Sequence, residues 1–464
     1  MIASENQKPG DPNWVLTNPA TEHEIEGYAS AASVNRGKQI SFFVSTSDPS
    51  FRIELFRLGW YGGIGARNML VAVTLPGLSQ ATPIPEPISG LIECHWQPSY
   101  SMIVPADSDP TNWASGVYVA KLTALPSNKQ SYIIFIVRDD TRSSTYLFQS
   151  SVTTFQAYNN WGGKSLYDYN SAGGRAAKVS FSRPYASGSQ SGAASGIGAG
   201  EFLTTYVPQG VSFPAGWEYN MVRFLERNGY DVTYISDLDT HERPSLLSGH
   251  KTFLVVGHDE YWSQQMRDNV TRARDTGINL AFFAANVCYW QIRLEPSALT
   301  GELDRTEVCY KDTTDPTAGP LQTLQWRQLG MPESALVGVM YVTDRVDSSI
   351  EVDNATTWAF DGTGLSDGAF LPGLLGYEVD AISTSSPPNL VILANSPFQL
   401  LGHPVQYSQM ITYTAASSAT VFATGSMQWS WGLDDYNAPE LRPSVLSRYA
   451  QQITRNVLRK LGNN

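Results

Sequence analysis

Cysteine is scarce in this chain. Cys94, Cys288 and Cys309 are the three among 464 residues, and their odd number and wide spacing exclude both a disulfide framework and a Cys-x-x-Cys site. No apolar run approaches the roughly 20 residues that a membrane span needs, so no membrane partner is expected. The opening residues, Met1 to Asp11, lack a basic-then-apolar leader pattern, and a cytoplasmic location is the expectation. Positive charge is short as well: 31 Lys and Arg face 43 Asp and Glu, for a net charge of -12. With no basic run to offset that balance, a nucleic-acid partner is not expected. Familiar catalytic motifs are also missing. There is no Gly-x-Ser-x-Gly elbow and no His-Glu-x-x-His, and Gly196-Ile-Gly-Ala-Gly follows no strand and departs from a dinucleotide fingerprint. The lone His-x-Glu at 258–260 lacks the Cys-x-x-Cys partner of the zinc deaminases. Covalent Ser or Cys catalysis is thereby disfavoured, leaving acid–base work or an oxygen-ligand metal site.

What is present is a folded chain with ample core. Hydrophobic residues make up 42% of it, with 12 Trp and 23 Tyr, many beside Gly or Asn, and its length points to two or three domains. Residues 1–145 read as a β-sandwich. Gln39 to Thr46, Phe51 to Leu58, Gly116 to Leu122 and Ser131 to Arg138 are rich in β-formers, and turn signals at 60–65 and 106–110 separate them. Residues 146–464 read as a doubly wound α/β domain. Val152 to Ala157 is a strand candidate, a Ser- and Gly-rich loop covers 188–200, and a helix bearing Trp217, Met221, Phe224 and Leu225 stops at Asn228-Gly229. Strands follow at 231–236, 252–257 and 278–284. A strand-rich insertion covers about 300–420, a late buried strand begins at Val421, and a helix from Pro439 to Leu461 closes the chain.

The richest stretch is Thr252 to Trp262. An apolar run of the doubly buried type ends at Gly257, and His258, Asp259, Glu260 and Tyr261 follow before Ser263 opens a helix. That order puts polar groups at the carboxyl edge of a parallel sheet, where such folds bind ligands. Asn159, Asn160 and Trp161, Asp237, and Asn286 with Tyr289 and Trp290 follow other strands to the same edge, and Glu218 and Tyr219 open a helix facing it. His258, Glu260 and Asn286 are the candidate catalytic residues. Plainer readings exist for each feature. His258 suits a helix cap, Glu218 suits any first helical turn, and Tyr219 and Tyr261 suit packing with a satisfied hydroxyl. A second functional class is a non-catalytic or carbohydrate-type binding protein, with the aromatic loops at Trp60-Tyr61 and Trp161 as its platform.

Several motifs occur together in order: Arg57-Leu-Gly-Trp-Tyr-Gly-Gly, Trp113-Ala-Ser-Gly-Val-Tyr, Tyr158-Asn-Asn-Trp-Gly-Gly, Trp217-Glu-Tyr, Gly257-His-Asp-Glu-Tyr-Trp-Ser and the 425–433 segment. On these the chain resembles the N,N-dimethylformamidase large-subunit family, in its C-terminal-domain-like members. The resemblance implies a β-sandwich followed by a glutamine-amidotransferase-like, flavodoxin-like α/β domain. It also implies hydrolysis of a small amide at a mononuclear iron (Fe3+) held by two tyrosines and a glutamate. Tyr219 and Tyr261 would be the tyrosines. Where the glutamate is expected the chain reads Cys309-Tyr-Lys-Asp-Thr-Thr-Asp-Pro, so Asp312, or else Asp315, would take its place. The same resemblance implies a small second subunit, or a homo-oligomer in its stead.

Overall fold

The computed structural model describes residues 1–106, 109, 112–187, 196–207 and 216–463. Parts of the expected turn at 106–110 and loop at 188–200 lie outside the described residues.

Alternation of side chains builds the N-terminal part. Phe51, Ile53 and Leu55 point one way along Ser50–Leu58, and they meet Ile40, Phe42 and Val44 of Gln39–Thr46 across a shared core. Two sheets result. One has three antiparallel strands, Ile25–Ala29, Gln39–Thr46 and Tyr100–Ile103. The other has five, in the order Ser33–Asn35, Gln130–Arg138, Gly116–Leu125, Ser50–Leu58 and Ala66–Pro76, antiparallel except at the first pairing.

The second part is organised by one seven-stranded sheet. Its order is Val232–Ser236, Tyr146–Ser150, Thr252–His258, Asn279–Ala285, Thr420–Ala423, Gln406–Thr414 and Val391–Phe398. The first five strands are parallel, Gln406–Thr414 runs against them, and Val391–Phe398, antiparallel to Gln406–Thr414, runs with them again. The order in which strands are added reverses between Tyr146–Ser150 and Thr252–His258, and the crevice beyond the carboxyl ends there is where open α/β sheets hold ligands. All seven residues of Thr252–His258 are buried, as the unbroken apolar run requires of a central strand. The strand-rich segment is part of this fold. Two of its strands, Gln406–Thr414 and Val391–Phe398, lengthen the sheet, and the hairpin Met340–Glu351/Phe370–Ala381 brings Glu378 to the sheet's carboxyl edge.

Two local expectations need correction. Val152–Tyr158 is a helix, and the strand is the preceding Tyr146–Ser150. The β-branched run Val-Thr-Thr favours a strand locally, but tertiary partners decide otherwise. The backbone N–H groups of Ser151 and Thr153 donate to the carboxylates of Glu218 and Asp237, at 2.9 Å in each case, which satisfies the start of the helix. The closing helix is shorter than its apolar spacing indicates. It begins at Arg448, where the Ser447 hydroxyl accepts from Ala450, and ends at Gly462. Residues 437–446 form turns and irregular chain instead.

A buried ion pair ties the two parts. Arg57, on a strand of the five-stranded sheet, donates two parallel hydrogen bonds of 2.7 and 2.9 Å to Glu226, on the helix Glu218–Arg227. Both side chains are fully buried, and the Tyr234 hydroxyl donates a further bond to Glu226 at 2.9 Å. Removing one member strands the other charge in a low-dielectric interior. Glu226→Ala should therefore cost about 3–5 kcal/mol of stability, read by urea denaturation. A loss below about 1 kcal/mol would show that the pair does not join the two parts.

Candidate active site

The site starts from a backbone constraint. Gly257 adopts φ +73, and a Cβ there would sit 2.3 Å from Cβ of Trp217. Only glycine tolerates both the left-handed turn and the close approach. The chain then delivers His258, Asp259 and Glu260 in succession at the sheet's edge, and all three are buried. The Glu260 N–H donates to the Thr154 hydroxyl at 2.9 Å, and the Trp290 N–H donates to the Glu260 carbonyl at 3.0 Å. Ser263, and not His258, caps the following helix Gln264–Asp275 through the Met266 N–H.

His258 is surrounded by acids. Its Nε2 lies 3.3 Å from Glu260 and 3.4 Å from Glu378, and its Nδ1 lies 3.6 Å from Glu201. Burial alone would lower the imidazole pKa, but the fields of Glu378, Glu201 and Glu260 prevail and hold it well above the ordinary value. Glu260 moves the other way. Burial opposes its ionisation, yet His258, Lys311 and the Tyr158 hydroxyl keep its pKa below the usual range. Glu378 is pushed up to about 8 by burial and by Glu260, against the pull of His258. The site therefore pairs an ionised carboxylate with a carboxyl group that titrates near neutrality. Asn286 turns out of its strand at φ 51, donates its backbone N–H to Asp380 at 2.9 Å, and hydrogen-bonds Glu378 through its side chain.

Beside the imidazole stands a group of phenols. Tyr158 and Tyr167 donate to the same Glu260 oxygen at 2.7 and 2.9 Å, Tyr167 lies 2.8 Å from Tyr158, and Tyr261 donates to Tyr167 at 2.5 Å. Burial and the neighbouring Glu260 charge raise all three phenol pKa values well above normal. The Lys311 ammonium sits 3.4 Å from the Tyr167 ring centroid and 5.2 Å from that of Tyr261. Burial brings its pKa down to about 8. Among the described residues no group of three or more His, Cys, Asp and Glu side chains is arranged to hold a metal ion, so a cation here would have to recruit the phenols.

Four of the expected residues therefore meet: His258, Glu260, Asn286 and Tyr261. Tyr219 does not join them. It lies on the face of its helix turned toward the N-terminal sheets, where its hydroxyl donates to the Gly65 carbonyl at 2.6 Å and its ring packs against Trp14 and Tyr436. Glu218, one residue earlier and so turned by about 100°, points instead to Ser151. Asp312 is spent on Arg175 at 2.7 Å and Asp315 on Arg293 at 2.6 Å. The chain turns at Lys311 with φ 65, and Lys311, not Asp312, reaches the phenols. Asn159, Asn160 and Trp161 serve structure. Asn159 donates to Gln156 and to the Pro184 carbonyl, Asn160 donates to the Asn170 carbonyl, and the Trp161 indole donates to Glu26. Trp161 and Tyr61 are buried, which removes them as an aromatic platform. The Cys288 thiol is pushed up to about 12 by burial and is no nucleophile at neutral pH.

Tyr158, Tyr167, Lys311, Glu201 and Glu378 are the members that sequence reasoning missed. Glu378 carried a usable signal: with Asp380 it interrupts the apolar strand Phe370–Ala381 at alternate positions, and both are buried. Tyr158 ends the helix Val152–Tyr158 and opens the motif Tyr158-Asn-Asn-Trp-Gly-Gly, which marked it without giving it a role, and Tyr167 lies in a loop with nothing local to single it out.

The fold and site thus define an α/β protein with a buried acid–base centre at the carboxyl edge of its sheet. The family described as N,N-dimethylformamidase beta subunit-like, C-terminal, matches residues 52–441, and the chain belongs to that family. No curated protein matches it. Among solved structures, the mmIFT52 N-terminal domain is similar at 11% identity with a TM-score of 0.29, over 51% of this chain and 87% of that one. Pseudomonas fluorescens alkylpurine DNA glycosylase AlkC, bound to DNA containing an abasic site analog, is similar at 15% identity with a TM-score of 0.16, over 25% of this chain and 30% of that one. Among the described residues no helix is long and apolar enough to cross a membrane.

Glu218 gives a pH test. Burial raises its pKa from 4.5 to about 8, so the folded state keeps a proton that the unfolded chain has released. Its contribution favours folding less as pH rises from the ordinary value toward about 8. Glu218→Gln lacks that proton. Relative to the parent it should gain stability between about pH 5 and about pH 8, read by urea denaturation at each pH. A pH-independent difference would place the Glu218 carboxyl in water.

Proposed function

We propose that the chain is a hydrolase of C–N bonds in small amides, of the kind its family description names. The observation that carries this reading is the His258 centre, where one imidazolium lies within 3.6 Å of Glu201, Glu260 and Glu378 beside three hydrogen-bonded phenols. Amide hydrolysis needs a group to activate water and a group to protonate the departing amine. Glu378, titrating near 8, is matched to both tasks. It takes the proton of an attacking water and returns it to the leaving nitrogen. Asn286 holds the Glu378 carboxyl in place, and the His258 imidazolium stabilises negative charge developing on the amide oxygen. The strand order, with its switch point beside Thr252–His258, supports a flavodoxin-like arrangement of the α/β part.

Iron is the metal that the family resemblance implies. The expected set of Tyr219, Tyr261 and Asp312 does not assemble, but a different set fits. The oxygens of Tyr158, Tyr167, Tyr261 and Glu260 form one hydrogen-bonded group, an all-oxygen, potentially anionic donor set of the type hard cations favour. We assign Tyr158, Tyr167 and Glu260 as the residues that would hold it, with the Tyr261 hydroxyl donating to the Tyr167 oxygen. Bound there, iron would supply Lewis acidity toward the amide carbonyl. Lys311 over the Tyr167 ring favours the phenolate form of that residue. A small second subunit, in keeping with the beta subunit-like family, is part of the same reading.

Protein purified without chelators or a metal-affinity step should contain iron and show a visible tyrosinate-to-iron band. Tyr158→Phe and Tyr167→Phe should abolish the band, while Tyr219→Phe and Asp312→Asn keep it. Glu378→Gln should lower amide hydrolysis by on the order of 10²–10⁴-fold with the band intact. Iron-loaded protein that cleaves no small amide, alone or with a second subunit, would sink the reading.

A further inference from the structure

We propose that the outer face of the helix Arg448–Gly462 is an interface between two copies of this chain, paired about a two-fold axis. In that pair the basic face of each helix lies against an acidic loop, 353–367, of the other copy. The inference stands apart from the hydrolase reading.

The first observation is how charge is divided along the chain. No Lys or Arg occurs between Arg345 and Arg442, and no Asp or Glu follows Glu440. The helix therefore carries Arg448, Arg455, Arg459 and Lys460 with no acid to balance them, in a chain whose net charge is -12. At about 100° per residue, Arg448, Arg455 and Arg459 fall within about 40° of one another around the axis. Ile453, Val457 and Leu461, on the opposite side, are buried, so the three arginines point away from the core. Their partners are neutral. Arg448 donates to the Tyr449 hydroxyl at 2.8 Å, Arg459 donates to Asn456 Oδ1 at 3.1 Å, and Arg455 lies 5.5 Å from the ring centroid of Phe224. Among the described residues none of the three pairs with a carboxylate.

The second observation is what lies beside that face. The helix holds the acidic loop directly: Asn456 Nδ2 donates to the Ala359 and Asp361 carbonyls at 2.9 and 2.7 Å. Asp353, Asp361 and Asp367 are exposed on the loop, and among the described residues none of them pairs with a cation. A basic face and an acidic loop are thus neighbours on one side of the molecule. A second copy turned by half a turn sets each basic face on the other's acidic loop, and such an isologous contact closes on itself. A polyanion or an anionic membrane would meet the repulsion of the loop beside the arginines, whereas a second copy brings both signs. Exposed ion pairs alone add little affinity, and the same side supplies apolar area. Leu446 and Phe370 are 49% and 55% exposed, and their segments meet where a Cβ at Gly373 would sit 2.6 Å from Val445. Phe370 opens the strand that holds Glu378, so the interface covers the outer end of that hairpin.

Sedimentation velocity on the full chain tests this. At about 0.1 M salt the parent should run as a particle of twice 50.9 kDa. Near 1 M salt, where the Debye length falls to about 3 Å, it should move toward monomer. Arg455→Glu with Arg459→Glu, and separately Asp353→Lys with Asp361→Lys, should each weaken association at least about tenfold. Mixed together, the two variants should restore the dimer, because every reversed contact then meets a reversed partner. That rescue also shows both variants to be folded. A parent that stays monomeric at low salt overturns the inference, and so does a dimer indifferent to both reversals. A mixture that does not regain the dimer, or a mass that keeps growing with concentration, overturns it as well. Binding of phosphatidylserine vesicles by a monomeric parent, lost in Arg455→Glu with Arg459→Glu, would give the face to a membrane and overturn it too.

Discussion

The left-handed turn at Gly257 is the constraint on which the site depends. With a side chain at that position the strand could not pass against Trp217, and both sides of the crevice would shift. Trp217 immediately precedes the helix whose Glu218 accepts from Ser151 and whose Glu226 holds Arg57. One glycine thus couples the direction of the central strand, the seat of that helix and the junction with the N-terminal sheets. The polar residues that follow are placed by the backbone before any of their own interactions count.

Those interactions are mostly unfavourable in isolation. Burial works against the charge on His258, Glu260, Glu378 and Lys311 alike, and it is the largest influence on each. What keeps His258 and Glu260 ionised is their proximity, helped by two phenol donors. Glu378 and Lys311 are less well compensated, and both are displaced toward neutrality. Groups poised in this way suit proton transfer near pH 7 and are poor choices for stability alone.

The sequence conveyed architecture better than chemistry. Period-two apolar patterns located the strands of the N-terminal sheets, and doubly buried runs located the centre of the α/β sheet, because both reflect burial that every residue of an element shares. The helix Val152–Tyr158 was misread since its stability comes from Glu218 and Asp237, carboxylates more than sixty positions away. His258, Glu260, Asn286 and Tyr261 were legible as strand-end polar residues. Tyr219 and Asp312 failed for a geometric reason. Adjacent helix positions face different ways, as Glu218 and Tyr219 do, and a turn at Lys311 reversed which neighbour looked inward. Glu201 sits in a segment whose docking no local pattern announces, whereas Glu378 was marked by the acids that interrupt its strand.

The hairpin that carries Glu378 also bears on how the molecule is assembled. Tyr158, His258 and Glu378 are separated by about a hundred residues at each step, so their meeting closes long loops and comes late on any route dominated by local contacts. Docking of Phe370–Ala381 places Glu378 3.4 Å from Nε2 of His258. Loosening of that hairpin would therefore change the charge balance of the ring together with the wall of the site.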